Sequence, residues 1–197
     1  MATPPVFTSE EAAIFNRLYK RAWDLSRGEL LLDPHPHRTK PGWFAKRRLR
    51  RAMKNFEQAL AIHPQSWQSL WALGKIHQRL GASRDALDCF ARAHSLNPDH
   101  PDVASEAAIT AMEIGRLPEA LTYARAAVKQ APNHPGYLSN LALALVLNGE
   151  NGAGLETIRA ARQLAPIDAV AETVEARIED VIAGKRAPPR QIRDFSL

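Results

Sequence analysis

Residues 67–98, WQSLWALGKIHQRLGASRDALDCFARAHSLNP, decide the architecture. Leu70, Leu73, Ile76, His77 and Leu80 recur at three and four residues, and so do Ala86, Leu87, Phe90, Ala93 and Leu96. That spacing places each set on one face of a helix. Gly81 divides the two helices and Pro98 ends the second. Working outward, four prolines (Pro64, Pro98, Pro132, Pro166) stand 34 residues apart. The same step carries Ala59, Ala93, Ala127 and Ala161, then Ala52, Ala86, Ala120 and Gly154, and then Gly81, Gly115 and Gly149. The chain is an internal repeat.

Each column has a physical reason. A small residue at one place per unit lets two helix backbones approach closely. Glycine accepts the left-handed conformation that ends a helix, and proline stops the next one. The spacing predicts helices over about residues 67–80, 84–96, 101–114, 118–131, 135–148 and 152–164. Upstream, Thr8 and Glu11 form a capping-box pattern ahead of an apolar stripe, Ile14, Phe15, Leu18, Tyr19, Ala22 and Trp23. This predicts a helix over about 8–26, the partner for the half unit marked by Ala52, Phe56, Ala59 and Pro64. Between them, residues 28–42 read as a long connection rich in Pro and His. Residues 168–183 read as a half-polar helix covering the last apolar face. The tail 184–197, GKRAPPRQIRDFSL, has no periodicity and reads as flexible.

A period of 34 with these columns resembles the tetratricopeptide repeat, over about residues 43–183. Leu73-Gly74, Ala86, Phe90, Ala93 and Pro98 make the first full unit its best match; Ala104, Ala107, Ala111 and Ala124 stand at the large places of the second. The resemblance implies an all-α, right-handed solenoid of antiparallel helix pairs: about three full units, an interrupted N-terminal unit and a C-terminal capping helix. The expected organisation is therefore residues 1–42, a helix and a Pro/His/basic loop, packed on or completing the first repeat, 43–183 as the solenoid with its capping helix, and 184–197 as a flexible basic tail.

The overall charge of +5 conceals an uneven distribution. Residues 1–54 hold 12 Lys and Arg against 5 Asp and Glu, whereas residues 55–183 hold 10 against 15. Lys46, Arg47, Arg48, Arg50 and Arg51 crowd the start of a helix, where positive charge opposes the dipole. They read either as a solvated face or as a surface for an anionic partner such as acidic protein, RNA or lipid. The longest apolar run, residues 141–147, is too short to cross a bilayer, and one cysteine, Cys89, allows no internal disulfide. A cytoplasmic location is expected.

Catalytic signals are weak. His35-Pro36-His37 offers two metal ligands and no third, and His100-Pro101-Asp102 falls in a turn without the strand context of an iron site. Cys89 has no base at a fixed spacing. No phosphate loop or nucleophile elbow appears. The expectation is a protein that is not an enzyme and needs no metal or cofactor.

The resemblance implies that the first helix of each pair lines a concave groove for a partner's peptide or helix. Carried over residue by residue, the groove positions include Trp71, Lys75, Ile109, Met112, Asn140, Leu143 and Leu147. The apolar ones form either a binding strip or packing against neighbouring helices. Of the residues that grip a C-terminal carboxylate in chaperone cofactors, only Asn140 has a counterpart, which argues against that ligand. The function expected is a protein-interaction adaptor; the alternative is an RNA- or anionic-membrane-associated factor acting through residues 38–54. Oligomeric state and partner identity are open.

Overall fold

A computed structural model describes residues 8–30 and 40–195. His35-Pro36-His37, and with it the middle of the long connection, lies outside the described residues. Those described form nine α-helices: α1 (Ser9–Leu30), α2 (Trp43–Ile62), α3 (Trp67–Leu80), α4 (Ser83–Leu96), α5 (Pro101–Glu113), α6 (Leu117–Gln130), α7 (Pro135–Leu147), α8 (Asn151–Leu164) and α9 (Ala169–Ile182). No strand occurs among them. The six helices read from the repeat spacing agree within one residue at each end.

The punctuation works as its chemistry requires. Gly81, Gly115 and Gly149 follow α3, α5 and α7 with φ of 81°, 77° and 85°, a conformation that costs residues with a Cβ. At the other end of the pairs, Ala59, Ala93, Ala127 and Ala161 are buried, with 0 to 1% of their surface exposed. Ahead of α1, the Thr8 hydroxyl accepts from the Glu11 amide while the Glu11 carboxylate accepts from the Thr8 amide, closing the capping box at both positions.

The chain divides into two compact units, residues 1–96 and 97–197. In the first unit α1 packs along α2 and α3 along α4. Its core gathers Leu49, Phe56, Leu73 and Ile76, with Tyr19, Trp23 and Trp71 packed around them. Tyr19 meets the Phe56 ring edge-on at 5.6 Å. At the crossing of α3 and α4 the Phe90 ring lies on Gly74; a Cβ there would come within 2.5 Å of it. Glu29, at the end of α1, ties the unit across its layers: its carboxylate accepts from Arg79 of α3 at 3.1 Å and from Arg48 of α2 at 3.3 Å.

In the second unit, α5 pairs with α6 and α7 with α8, while α9 packs on α8. The first helices α5, α7 and α9 lie side by side, with α6 and α8 in the other layer. Here the core is alanine-rich: Ala104, Ala107, Ala108, Ala111, Ala120, Ala124 and Ala142 are all buried. Glu175 anchors α9 by accepting from Arg159 at 2.9 Å and from Arg162 at 2.5 Å of α8. Those two arginines, Arg162 first, hold its carboxyl below the usual carboxylate range.

The tail departs from its sequence reading. Gly184 ends α9 at φ 70°, and the chain then runs to a 3-10 turn, Ile192–Phe195, that packs against α5. Phe195 is buried, although no periodicity announces it.

Candidate functional site: the first-helix faces

The first helices of a repeat have three tasks. They pack on their own second helix, on their sequential neighbours, and leave the remaining face to solvent or a partner. Spacing alone cannot assign a residue among these. The structure can, within each unit.

In the first unit, Trp71 and Lys75 sit one turn apart on α3, both partly exposed. Trp71 packs against the core cluster, and its indole nitrogen is buried without a hydrogen-bond partner. A second charge on this helix, Arg79, is engaged by Glu29.

In the second unit, the expected apolar strip is thinner than the sequence suggests. Met112 is fully buried, and Leu143 and Leu147 retain only 5 and 6% of their surface. These three are core rather than open groove. The physical reason is the neighbouring alanines: with Ala104, Ala107 and Ala111 on α5 and Ala142 and Ala144 on α7 too small to fill the space, the long side chains are drawn inward. Ile109 alone of the apolar set in this unit remains half-exposed, near Glu106 on the same helix.

Around it lies a polar row. Asn140 of α7 donates to the Ser105 hydroxyl of α5 at 2.9 Å, and the Tyr137 hydroxyl donates to Asp102 at 2.5 Å. Burial, followed by that bond to Asp102, pushes the Tyr137 phenol well above its usual range. The row locks α5 to α7 and leaves Asp102, Glu106 and Glu113 as an acidic edge on α5.

A different surface is displayed by α2. Its first turn carries no acidic residue, and Gly42 offers no side-chain cap. Trp43 and Phe44 are 65 and 77% exposed, packed edge to face at 4.7 Å, and the Arg47 guanidinium lies 5.7 Å from the Trp43 ring centre. Lys46, Arg47, Arg50 and Arg51 are exposed as well. Arg48 belongs to a different group, since it pairs with Glu29. Sequence reading grouped all five together and passed over the two aromatic residues beside them; a Trp-Phe pair preceding a polar, basic helix start was the available signal.

Burial pushes the Cys89 thiol up to about 11, which leaves it a poor nucleophile. His100 stands at the N-cap position of α5 without a side-chain capping hydrogen bond and approaches Asp102 at 3.9 Å, and among the described residues no group of His, Cys, Asp and Glu could hold a metal ion. Among them also, no helix is long and apolar enough to cross a membrane.

The comparisons with known proteins agree with the repeat. A sequence model described as tetratricopeptide repeat matches residues 44–101, 72–135 and 105–169. No curated protein matches the chain in sequence. Among solved structures, residues 41 to the end of MamA from Desulfovibrio magneticus RS-1 superpose with a TM-score of 0.70 at 17% identity, over 91% of this chain and 88% of that one. YrrB, a repeat protein with an unusual peptide-binding site, gives 0.60 at 19% identity over 85 and 86%. The first repeat domain of Spaghetti (RPAP3), bound to the HSP90 peptide SRMEEVD, gives 0.57 at 17% over 60 and 94%. At these identities the likeness is one of fold.

Proposed function

The chain belongs to the tetratricopeptide repeat family, and on that premise we propose that it is a non-catalytic adaptor whose first-helix faces hold a linear segment of another protein. The observation that carries this reading is the side-by-side row of α5, α7 and α9, backed on one side only by α6 and α8. A row of that kind offers a continuous surface on which polar side chains can meet a peptide backbone while Ile109 meets an apolar side chain. Two structural neighbours, RPAP3 and YrrB, are described with a peptide or a peptide-binding site, which supports the same use. The carboxylate-gripping variant of such a site has little support here, because the Asn140 amide is already directed at Ser105.

The test is affinity capture from the native cell lysate, repeated with Ile109→Asp and with Lys75→Glu. Loss of the main captured protein by at least tenfold in Ile109→Asp, with an unchanged helical signal and melting temperature, is the expected result. Full retention by both variants would overturn the reading.

The start of α2 favours a second, separate activity. Exposed Trp43 and Phe44 beside Lys46, Arg47, Arg50 and Arg51 combine an apolar wedge with positive charge, the composition of a helix end that seats at an anionic lipid surface. Sedimentation with phosphatidylserine vesicles should fall on Arg47→Gln/Arg50→Gln/Arg51→Gln and on Trp43→Ala/Phe44→Ala, and fall with added salt. Binding to RNA instead of vesicles, with log affinity linear in log salt, would replace this reading by the nucleic-acid one.

A further inference from the structure

The tail beyond α9 has an unusual distribution of burial. From Ile182 to Arg190 its side chains are exposed apart from the half-buried Pro189, and then Phe195 is 98% removed from solvent, with 2% exposed. The tail is thus open to solvent as far as Arg190 and is seated over its last residues, with Gln191 and Ile192 half-buried and Phe195 buried, as a tethered ligand would be.

The seat is built from the first helices. The turn Ile192–Phe195 packs against α5, and Arg177 of α9 donates to the main-chain carbonyl of Asp194 at 3.3 Å. The Asp194 carboxylate turns back to accept the amides of Arg190 and Gln191, at 2.8 and 3.2 Å, and so holds the turn that presents Phe195. Charge agrees with the placement. Residues 97–183 hold 12 Asp and Glu against 6 Lys and Arg, and the tail 184–197 holds 4 basic side chains against 1 acidic.

We propose that residues 190–195 are a built-in occupant of the peptide-binding face of the second unit, so that the face is specific for basic linear segments with one aromatic anchor and is closed until such a segment displaces Phe195. The proposal rests on the adaptor reading and names the partner chemistry of its site. A tether this short presents the tail to its seat at a concentration on the order of millimolar. An external segment of equal intrinsic affinity therefore competes poorly, and one that binds more tightly opens the face.

A fluorescent peptide of residues 184–197 is titrated into the full chain and into full-length Phe195→Asp. The peptide should bind the variant at least tenfold more tightly than the wild type, and a Phe195→Asp peptide should bind neither. Equal affinity for both chains, or no binding to a variant that still melts cooperatively, would overturn the proposal. If Phe195→Asp does not melt cooperatively, Phe195→Ala is put through the same comparison, with a gain of several-fold expected and no gain overturning it. A mass that rises with concentration and falls on adding the peptide would show the seat filled from a second copy, which also overturns closure within one chain. The adaptor reading fails separately: peptide binding in trans with no lysate protein captured by either chain keeps the seat and removes the external partner.

Discussion

The helix pairs α3/α4 and α7/α8 occupy the same place in the repeats on either side of α5/α6, and they solve one packing problem with opposite residues. In α3/α4 the large residue is on the second helix, Phe90, and the glycine on the first, Gly74. In α7/α8 the glycine is on the second helix, Gly154, and Val146 of the first fills the space above it. At the places in phase with Gly74 stand Ala108 and Ala142, and in phase with Gly154 stand Ala86 and Ala120, all of them buried. What the period maintains is a backbone separation. Which helix supplies the bulk is left free.

The largest test of this comparison removes the bulk. Phe90→Ala should destabilise by about 3 to 5 kcal/mol, because it empties a fully buried ring position beside a glycine that cannot fill it. Chemical denaturation measures it, and a loss under about 1 kcal/mol would mean that the crossing of α3 and α4 does not depend on the ring. Next in size, Gly154→Ala should cost about 1 to 3 kcal/mol of overpacking despite the better helix propensity of alanine, since its Cβ would collide with Val146 and lie 3.2 Å from the Ala142 carbonyl. Val146→Ala in the same chain should recover part of that loss, whereas it should not rescue an overpacked Ala93→Leu in α4. A double-mutant cycle reads both.

Glu175 sharpens the comparison from the electrostatic side, because α8 and α9 are joined by charge where α3 and α4 are joined by a ring. Glu175→Gln should cost about 1 to 2 kcal/mol at neutral pH, the worth of hydrogen bonds to a charged acceptor. The carboxyl is held below its usual range in the folded state, so the stabilisation is complete above the unfolded value of about 4.3 and is lost as pH falls through the lower folded value. The gap between wild type and variant should stay flat from about pH 8 to 5 and close in stronger acid. The smallest effect is of opposite sign. Gly152→Ala, on an exposed place in α8 with nothing within 4 Å of the new Cβ, should stabilise by about 0.5 to 1 kcal/mol. A destabilisation there would show that Gly152 has a packing role like Gly154 two residues away.

The helices were legible because their signals are local: a glycine after α3, α5 and α7, a proline after α2, α4, α6 and α8, and alanine where backbones touch. Burial on the first helices was not, since Met112, Leu143 and Leu147 have the same spacing whether they face a groove or a neighbour, and the alanines that draw them inward lie on the same two helices. Glu29 with Arg48 and Arg79 escaped for a different reason, because partners 19 and 50 residues apart leave no periodic trace. Phe195 was least legible of all: a single aromatic in a stretch of Pro and Arg carries no pattern, and its burial depends on a surface assembled from helices far earlier in the chain.

That distance in sequence gives the tail a place in time. Helices that pack within the second unit are neighbours or next neighbours along the chain, whereas the contact between α5 and residues 192–195 encloses α6, α7, α8 and α9. Its loop-closure entropy is larger, and its surface does not exist until the first helices have come together. The seat therefore forms last on folding and opens first in the native state, below the free energy of global unfolding. Trypsin acting on the intact protein at Lys185, Arg186, Arg190 and Arg193 should trim the tail well before it cuts any helix, and a ligand that displaces Phe195 should hasten that cleavage.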